Sequence, residues 1–233
     1  MIKKFQLKKI LAEKKLLKVI SGMENFNEEN IKMVVNAATL GGAQAVDISA
    51  DSDNIRWIKE NHTKLIIFVS SLSPAMLVKA KEWGADVLEL GNFDSLYTQG
   101  KSISKEEVIN LTRELRTSVG DDTLICITVP GNLSIDEQVD LAVQIQAAGA
   151  DIIQVENLTT ISKYENAKAI VKAVEIPVLL SGKLDNTKVE QAFAAEIHAI
   201  GIGNAINSKT DLPSMVEEVK ASMKIINSEK VSV

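Results

Sequence analysis

The sequence is poor in the residue types that mark several protein classes. One cysteine, Cys126, among 233 residues excludes an internal disulfide framework, and no apolar run reaches the ~18 residues that a bilayer span requires. Basic residues number 26 against 31 acidic ones, so the net charge of −5 offers no bulk attraction to nucleic acid. Aromatic residues make up only 4% of the chain and prolines number four. We therefore expect a core of aliphatic side chains and no proline-rich linker.

A similar eight-residue segment occurs three times, at residues 42–49, 84–91 and 149–156. Each copy begins with glycine and continues with alternating apolar and polar residues. A glycine that closes a helix before such an alternation is typical of a repeated βα unit. Along the whole chain the same pattern predicts eight strands, separated by helical periodicity. The predicted strands are residues 17–21, 45–49, 65–70, 87–91, 123–129, 152–156, 177–181 and 198–203.

Five helix starts are marked between these strands by capping boxes or by a serine before proline. They are Ser104 with Glu107, Ser134 with Glu137, Ser162 with Glu165, Thr187 with Glu190, and Ser73 with Pro74. Eight βα units predict one (β/α)8 barrel domain over residues 1–233. A doubly wound open sheet is the alternative, but no glycine-rich dinucleotide fingerprint follows the first strand.

Residues 1–15 carry six lysines among apolar residues and predict a basic N-terminal helix that is part of the barrel domain. Its first interpretation is a plug at the bottom of the barrel. Its alternatives are attachment to a membrane surface or to a partner protein. The stretch lacks the unbroken apolar core and the cleavage site of a secretory signal, so we expect a cytoplasmic protein.

The strand ends and βα loops form the face on which such barrels bind ligands. The fourth βα loop, residues 92–104, is long, and it predicts either a lid or a mobile surface loop without a catalytic part. The last two strands run into glycine-containing turns whose backbone N–H groups favour a phosphate site, although glycines also end strands for steric reasons. The phosphate-binding candidates are Ser181, Gly182, Lys183, Gly203, Asn204 and Ala205.

These turns resemble those of the phosphate-binding barrels, which include flavin-binding barrels, indole-glycerol-phosphate and thiazole synthases and phosphosugar epimerases. Those families typically show Ser-Gly-Gly after strand seven and Gly-x-Gly-Ser/Thr-Ala-Ile after strand eight. This chain has Lys183 for the second glycine and Asn204 for the hydroxyl residue. Lys183 therefore either adds a charge to a phosphate or blocks the approach to the backbone.

Several short motifs carry a resemblance along nearly the whole chain. They are Lys18-Val19-Ile20-Ser21-Gly22, Asn25-Phe26, Gly41-Gly42-Ala43, Val46-Asp47-Ile48-Ser49-Ala50-Asp51, Ile127-Thr128-Val129-Pro130 and Ser181-Gly182. Together they make the chain similar to the uncharacterised hypothetical chloroplast reading frame twenty-three family of cyanobacteria and algal plastids. The resemblance implies an aldolase-type barrel, in the cytoplasm or in the plastid stroma if plastid-encoded, and it implies no reaction.

The three repeats, set in register, predict the barrel interior. Residues two apart in a strand share a face, and the intervening aliphatic residues face the helices. Alternate strands contribute to one interior layer, so strand eight completes each ring of four. The lower layer is Asp47, Glu89, Gln154 and Gly201, and the upper layer is Ser49, Gly91, Glu156 and Gly203. We expect both layers to be polar, acidic and incompletely filled.

Buried carboxylates need partners, and Lys18 on the first strand is the nearest candidate, beside Asp47. Such a pair is either structural or catalytic, with Lys18 as an acid, an amine nucleophile or a substrate clamp. A third interpretation has Lys18 low enough to extend out of the bottom. The carboxylates also suit a hard divalent cation, but His62 and His198 are expected at structural or exposed positions, so no metal ligand is assigned.

The expected function is an enzyme that acts on a small phosphorylated metabolite by acid–base or carbon–carbon bond chemistry, of lyase or isomerase type. Its catalytic candidates are Lys18, Asp47, Glu89 and Glu156, with Asp47 or Glu89 as general base and Lys18 stabilising an enolate. One alternative is a sensing barrel that binds flavin mononucleotide or a phosphometabolite without turnover. The other is a regulatory interaction protein. The cofactor stays open between flavin mononucleotide and a divalent cation, and a homo-oligomer is compatible with the sequence.

Overall fold

The computed structural model describes residues 2–91, 93, 96–97, 99–156 and 164–228. Eight parallel strands form a closed barrel in which β8 pairs with β1. The strands are β1 Leu16–Gly22, β2 Ala45–Ser49, β3 Ile66–Ser71, β4 Val87–Leu90, β5 Leu124–Val129, β6 Ile152–Glu156, β7 Val178–Ser181 and β8 Ala199–Ile202. Each strand begins and ends within one residue of its predicted bounds, so the predicted (β/α)8 barrel is confirmed.

Helices alternate with the strands around the barrel. In the described part of the chain they are α1 Ile2–Ala12, α2 Glu28–Gly41, α3 Ser52–Asn61, α4 Pro74–Trp83, α5 Lys105–Val119, α6 Ile135–Ala147, α7 Glu165–Ala173, α8 Val189–Phe193, α9 Asn204–Asn207 and α10 Leu212–Ile226. A short 3-10 turn, Asn186–Lys188, precedes α8. No helix within the described ranges is long and apolar enough to cross a membrane.

Three of the predicted helix starts are confirmed by their hydrogen bonds. Ser104 forms a complete capping box with Glu107, and Ser134 forms one with Glu137. Ser73 caps α4 directly before a proline in the first turn. Because each cap satisfies N–H groups that the helix itself leaves unpaired, these starts were readable from local sequence alone.

The other two predicted starts are not confirmed. Thr187 lies inside the 3-10 turn, where its N–H donates to the Asp185 side chain at 3.0 Å. Asp185 takes the capping position because an aspartate side chain readily accepts from the backbone two residues on. Ser162 lies outside the described residues, and α7 begins at Glu165.

The bottom of the barrel is closed by α1, as the plug interpretation predicts. Leu7 and Leu11 are 1% and 3% exposed, and they join the aliphatic cluster that fills the lower barrel interior. Lys3 donates to the Leu65 carbonyl at 2.6 Å and pairs with Asp86 at 2.9 Å. The helix ends at Ala12, earlier than predicted. Burial of each leucine contributes about 1.5–3 kcal/mol, so α1 is an integral part of the core.

The lower interior is otherwise made of apolar side chains from all eight strands of the barrel. They include Leu16, Ala45, Ile66, Phe68, Val87, Leu124, Cys126, Ile152, Leu179 and Ala199. The cysteine is fully buried there, in agreement with its prediction as a small core residue. Burial and the charge of Glu89 raise the pKa of the Cys126 thiol well above its usual range, so no thiolate forms at neutral pH.

Candidate functional site

The barrel interior above this cluster is polar, as the register of the repeats predicts. Asp47, Ser49, Glu89 and Gln154 are fully buried, and Glu156 is 5% exposed at the mouth end of β6. Parallel strands hold their side chains in fixed alternation, so these groups project from β2, β4 and β6 toward the barrel axis. The sequence repeat therefore located most of the polar interior.

Hydroxyl groups from the odd-numbered strands complete this interior and were missed by the sequence analysis. Ser70 on β3 lies in register with Glu89, and Thr128 on β5 lies in register with Gln154. Both hydroxyl residues are buried. The alternation of residues along β3 and β5 already places Ser70 and Thr128 on the inward face. These strands were overlooked because they lack the glycine-led repeat found at β2, β4 and β6.

Lys18 joins the interior groups into a closed ring of hydrogen bonds. Its Nζ donates to Glu89 Oε2 at 2.5 Å and to Gln154 Oε1 at 2.6 Å. The Gln154 amide nitrogen then donates to Glu89 Oε1 at 2.8 Å and to Thr128 Oγ1 at 3.2 Å. The ring connects β1, β4 and β6 across the barrel, so each polar group fixes the orientation of the next.

The electrostatics of the ring keep Lys18 protonated. Burial by itself lowers the pKa of Lys18, but the charges of Glu89 and Asp47 outweigh burial and raise it above its usual range. The ammonium also lies 5.0 Å from the centroid of the Phe68 ring, a favourable cation–π distance. A protonated, fully buried amine is not available to attack a carbonyl, which favours a fixed positive charge over an amine nucleophile.

Two sequence expectations about Lys18 require correction. Its side chain is fully buried, so it does not extend out of the bottom of the barrel. The ion pair that the structure shows for it is with Glu89, across the barrel, whereas the prediction placed it beside Asp47. The long lysine side chain reaches inward past its neighbouring strand. Asp47 acts on it through charge and accepts a hydrogen bond from Ser70 Oγ at 2.5 Å.

Glu156 lies where the interior meets the mouth. Its Oε2 accepts hydrogen bonds from the Gly131 backbone N–H at 3.1 Å and from the Tyr97 hydroxyl at 3.3 Å. Tyr97 belongs to the long fourth βα loop, and Phe93 of that loop is fully buried. The contact with Glu156 favours the lid interpretation of this loop. Loop residues 92, 94, 95 and 98 lie outside the described part of the chain.

Gly91 and Gly201 of the interior layers do not leave empty space beside the strands, contrary to the prediction, whereas Gly203 leaves room for a Cβ atom. A Cβ atom at Gly91 would overlap the Thr128 side chain. At Gly201 a Cβ would lie 2.8 Å from Ile20 Cδ1, which is closer than atoms can pack. A Cβ at Gly203 would lie 3.4 Å from the nearest atoms of Ile20, which is an ordinary contact distance. Odd-strand side chains, Thr128 and Ile20, have therefore filled the space beside Gly91 and Gly201 only.

The turn after β7 has an unusual backbone. Gly182 and Lys183 have φ angles of 91° and 53°, and the second costs a non-glycine residue about 1–2 kcal/mol. The Lys183 carbonyl accepts a hydrogen bond from Lys188 Nζ at 2.9 Å, and Lys188 pairs with Asp185 at 2.8 Å. The Lys183 side chain is exposed, while Ser181 is 4% exposed. These contacts hold the strained turn in place at the mouth.

The turn after β8 lies beside the end of β1. Gly203 precedes the one-turn helix α9, in which Asn204 is exposed and Ala205 is half-buried. The Asn207 side chain donates to the Ile20 carbonyl at 2.9 Å. The six phosphate-binding candidates thus lie in two turns at the carboxyl ends of adjacent strands, on the mouth face.

Both histidines lie on the opposite face of the barrel. His62 Nδ1 contacts Thr39 Oγ1 at 2.9 Å, and His198 Nδ1 accepts from the Val178 N–H at 3.0 Å. Burial lowers the pKa of both rings. Within the described ranges, no group of three His, Cys, Asp or Glu side chains is arranged to hold a metal ion.

Sequence comparison matches residues 1–232 to a family model described as "Protein of unknown function (DUF561)". A protein named "Uncharacterized protein ycf23" from Cyanophora paradoxa is 32% identical over 226 residues, covering 90% of this chain and 93% of the relative. Its namesake from Porphyra purpurea is 33% identical over 215 residues, covering 86% and 80%. The resemblance found in the sequence motifs is therefore confirmed.

Solved structures share the fold at low sequence identity. The 3-hexulose-6-phosphate synthase of Salmonella typhimurium superposes with a TM-score of 0.69 at 11% identity, covering 91% of this chain and 98% of that one. A structure titled "Native KDPGal structure" gives 0.68 at 18% identity, covering 93% and 96%. Thiamine phosphate pyrophosphorylase from Pyrococcus furiosus gives 0.64 at 17% identity, covering 93% and 97%. At these identities the likeness establishes the barrel fold alone.

Proposed function

The chain belongs to the DUF561 family of proteins of unknown function, and from its own interior we propose an enzyme that acts on a small phosphorylated metabolite. The proposed chemistry is proton transfer next to a carbonyl group, in a reaction of lyase or isomerase type. The metabolite would enter at the carboxyl ends of the strands, where the polar interior opens to the mouth.

The observation that carries the proposal is the buried Lys18–Glu89–Gln154 ring beneath Glu156. Removing an ion pair from water costs several kcal/mol per ion, and well-packed aliphatic side chains of similar volume often give equal or greater stability. Barrels usually fill their interior layers with such side chains. A costly, buried and hydrogen-bonded charge pair at this depth supports a role in preorganised electrostatics.

The proposed roles follow the depth of each group in the barrel. Glu156 is nearest the mouth and would act as the general base, held in orientation by Gly131 and Tyr97. Lys18 would supply a fixed positive charge below an enolate oxygen, with Glu89 locking its position. Asp47, which accepts a hydrogen bond from Ser70, is the second candidate for proton transfer.

The phosphate of the metabolite would bind the two turns that follow β7 and β8. The residues proposed for this contact are Ser181, Gly182, Lys183, Gly203, Asn204 and Ala205. Their support is the convergence of two glycine-containing turns at the mouth and the exposed position of Lys183. The titles of two fold neighbours name a hexulose 6-phosphate and a thiamine phosphate, which supports this class of substrate.

The test is binding of sugar phosphates to the purified protein. Native mass spectrometry of fresh protein reports any retained phosphometabolite together with the oligomeric state. Isothermal titration with ribulose 5-phosphate and dihydroxyacetone phosphate then compares wild type with Lys183→Ala and with the matched control Lys64→Ala, an exposed lysine on the opposite face. We expect about a tenfold loss of affinity for Lys183→Ala alone. Equal affinities in the two variants, or no binding to wild type, would contradict the phosphate site.

A flavin-binding barrel without turnover is the second candidate. Phe26 favours it, because this ring stands 65% exposed on the loop between β1 and α2, on the mouth face. A planar isoalloxazine ring would cover such an aromatic surface. Visible absorbance of the purified protein distinguishes the two candidates, since a yellow chromophore with flavin bands supports this one and a colourless protein with a bound sugar phosphate refutes it.

A further inference from the structure

The bottom face of the barrel contains a cavity that the proposed function does not use. It has a volume of about 400 Å³ and lies between α1 and the amino-terminal ends of the strands β5 to β8. Ligand pockets usually fall between about 300 and 1,000 Å³ and combine an apolar lining with a few placed polar groups. The lining of this cavity has both components, so the kind of ligand that fits it can be inferred from them.

The floor of the cavity belongs to the barrel core itself. Leu7 and Leu11 of α1 line it together with Leu124 and Ile152, and all four are at most 4% exposed. A guest with a hydrocarbon body would therefore touch the same side chains that pack the barrel interior. Removal of that hydrocarbon from water is the driving force for binding here.

His198 supplies a hydrogen-bond donor of fixed direction to this cavity. Its Nδ1 accepts the Val178 N–H at 3.0 Å, so the neutral ring carries its proton on Nε2. Burial, followed by the charge of Lys14, lowers the pKa of His198 and keeps the ring neutral at pH 7. Among the described residues nothing accepts a hydrogen bond from Nε2, which leaves this donor for a guest.

The charges around the cavity favour an anionic acceptor. Lys8 lines the cavity and takes part in no ion pair within the described ranges, and the charge of Lys14 reaches the His198 ring. Asp151 also lines it, but its charge is matched by Arg116 at 2.5 Å. Glu175 is the opposing carboxylate at the rim. The charge of Lys8, together with that of Lys14 acting on His198, thus outweighs the charge of Glu175.

We propose that this cavity binds an aliphatic carboxylate of medium chain length. Its hydrocarbon chain lies on the floor formed by Leu7, Leu11, Leu124 and Ile152. Its carboxylate accepts the Nε2–H of His198, with the Lys8 ammonium beside it. Inorganic phosphate and sugar phosphates lack the apolar body that the floor requires, so this site is separate from the one proposed at the mouth.

Octanoate is the probe that tests this site, with octanol as its neutral counterpart. Isothermal titration of wild type is expected to give one saturable octanoate site, with octanol at least about tenfold weaker because it lacks the charge-assisted hydrogen bond. His198→Phe keeps the ring volume and removes the donor. It is expected to weaken octanoate about tenfold and to leave octanol unchanged.

Two further variants test whether the probes bind in this cavity. Ala12→Trp places a large ring in the cavity from an exposed position at the end of α1, and it is expected to abolish binding of both probes. His62→Phe is the matched control, because His62 lines a different cavity of about 430 Å³ on the same face. Far-ultraviolet circular dichroism shows whether each variant is folded.

The proposal is overturned by any of four results. These are no saturable octanoate binding to wild type, equal affinity for octanol and octanoate in wild type or unchanged octanoate affinity in folded His198→Phe, loss of binding in His62→Phe, or unchanged binding in folded Ala12→Trp. If Ala12→Trp does not fold, the comparison of the two probes in His198→Phe still decides the question.

Discussion

The Lys18–Glu89 pair gives the sharpest stability prediction, through the substitution Glu89→Gln. Glutamine keeps an acceptor for the Lys18 ammonium but removes the charge that offsets its burial. Removing one partner of a buried ion pair costs about 3–5 kcal/mol. Lys18 retains Gln154 Oε1 at 2.6 Å and the charge of Asp47, so we expect the lower end of that range, about 3 kcal/mol.

The assay is urea unfolding at pH 7, followed by circular dichroism, with a surface pair as the control. Glu217 pairs with Lys220 at 3.3 Å in an exposed position, so Glu217→Gln is expected to change the free energy of unfolding by less than about 0.5 kcal/mol. The double variant Lys18→Met with Glu89→Gln removes both charges and is expected to be more stable than Glu89→Gln alone. A cost below about 1 kcal/mol for Glu89→Gln would refute the reasoning.

The pH dependence of the same variant supplies a second readout. In wild type the pKa of Lys18 is raised on folding, so its contribution to stability is present below the unfolded pKa and is lost as pH rises through the folded one. In Glu89→Gln the largest opposing charge is gone and burial, which lowers the pKa, gains weight. The folded variant then holds the Lys18 proton less tightly than folded wild type, while the unfolded state is unchanged, so the stability of the variant relative to wild type is expected to increase as pH rises toward the unfolded pKa of lysine.

Three further predictions concern packing and the mouth. Leu11→Ala is expected to lower the free energy of unfolding by about 2–5 kcal/mol, against less than about 0.5 for the exposed Lys9→Ala, and equal effects would contradict the role of α1 as a plug. Gly91→Ala is expected to cost at least about 1–3 kcal/mol, part of which Thr128→Ala recovers in a double variant; an unshifted urea midpoint would show that the interior has room there. Lys183→Gly is expected to raise the melting temperature by removing left-handed strain while weakening sugar-phosphate binding, and a lower melting temperature would mean that the strain argument is wrong.

The sequence predicted the barrel and the even-strand interior because both depend on local alternation. Asp47, Glu89 and Gln154 sit in repeats whose phase fixes which way each side chain points. Local alternation could not predict the ion-pair partner of Lys18, because this partner depends on how far a flexible side chain extends across the barrel. The filled space beside Gly91 was missed for a similar reason, because Thr128 belongs to a strand without the repeat.

The contact between Tyr97 and Glu156 was also not predictable in detail. A long loop after a barrel strand indicates a lid, but its docking on one particular carboxylate depends on tertiary packing around Phe93. The turns after β7 and β8 were readable from their glycines, and their binding of a phosphate stays a prediction. The left-handed conformation of Lys183 was not readable, because the sequence alone gives no reason for a lysine to tolerate it.

Solvent deuterium exchange tests the proposed general base most directly. Dihydroxyacetone phosphate and ribulose 5-phosphate would be incubated with wild type and with Glu156→Gln in deuterium oxide, and the carbon-bound protons next to the carbonyl followed by proton nuclear magnetic resonance. We predict enzyme-dependent loss of a proton signal in at least one compound with wild type, and its reduction by about 100-fold or more in a folded Glu156→Gln that still binds the compound. Equal exchange rates in the two proteins, or no exchange above the protein-free rate with wild type, would contradict the assignment of Glu156 as the base.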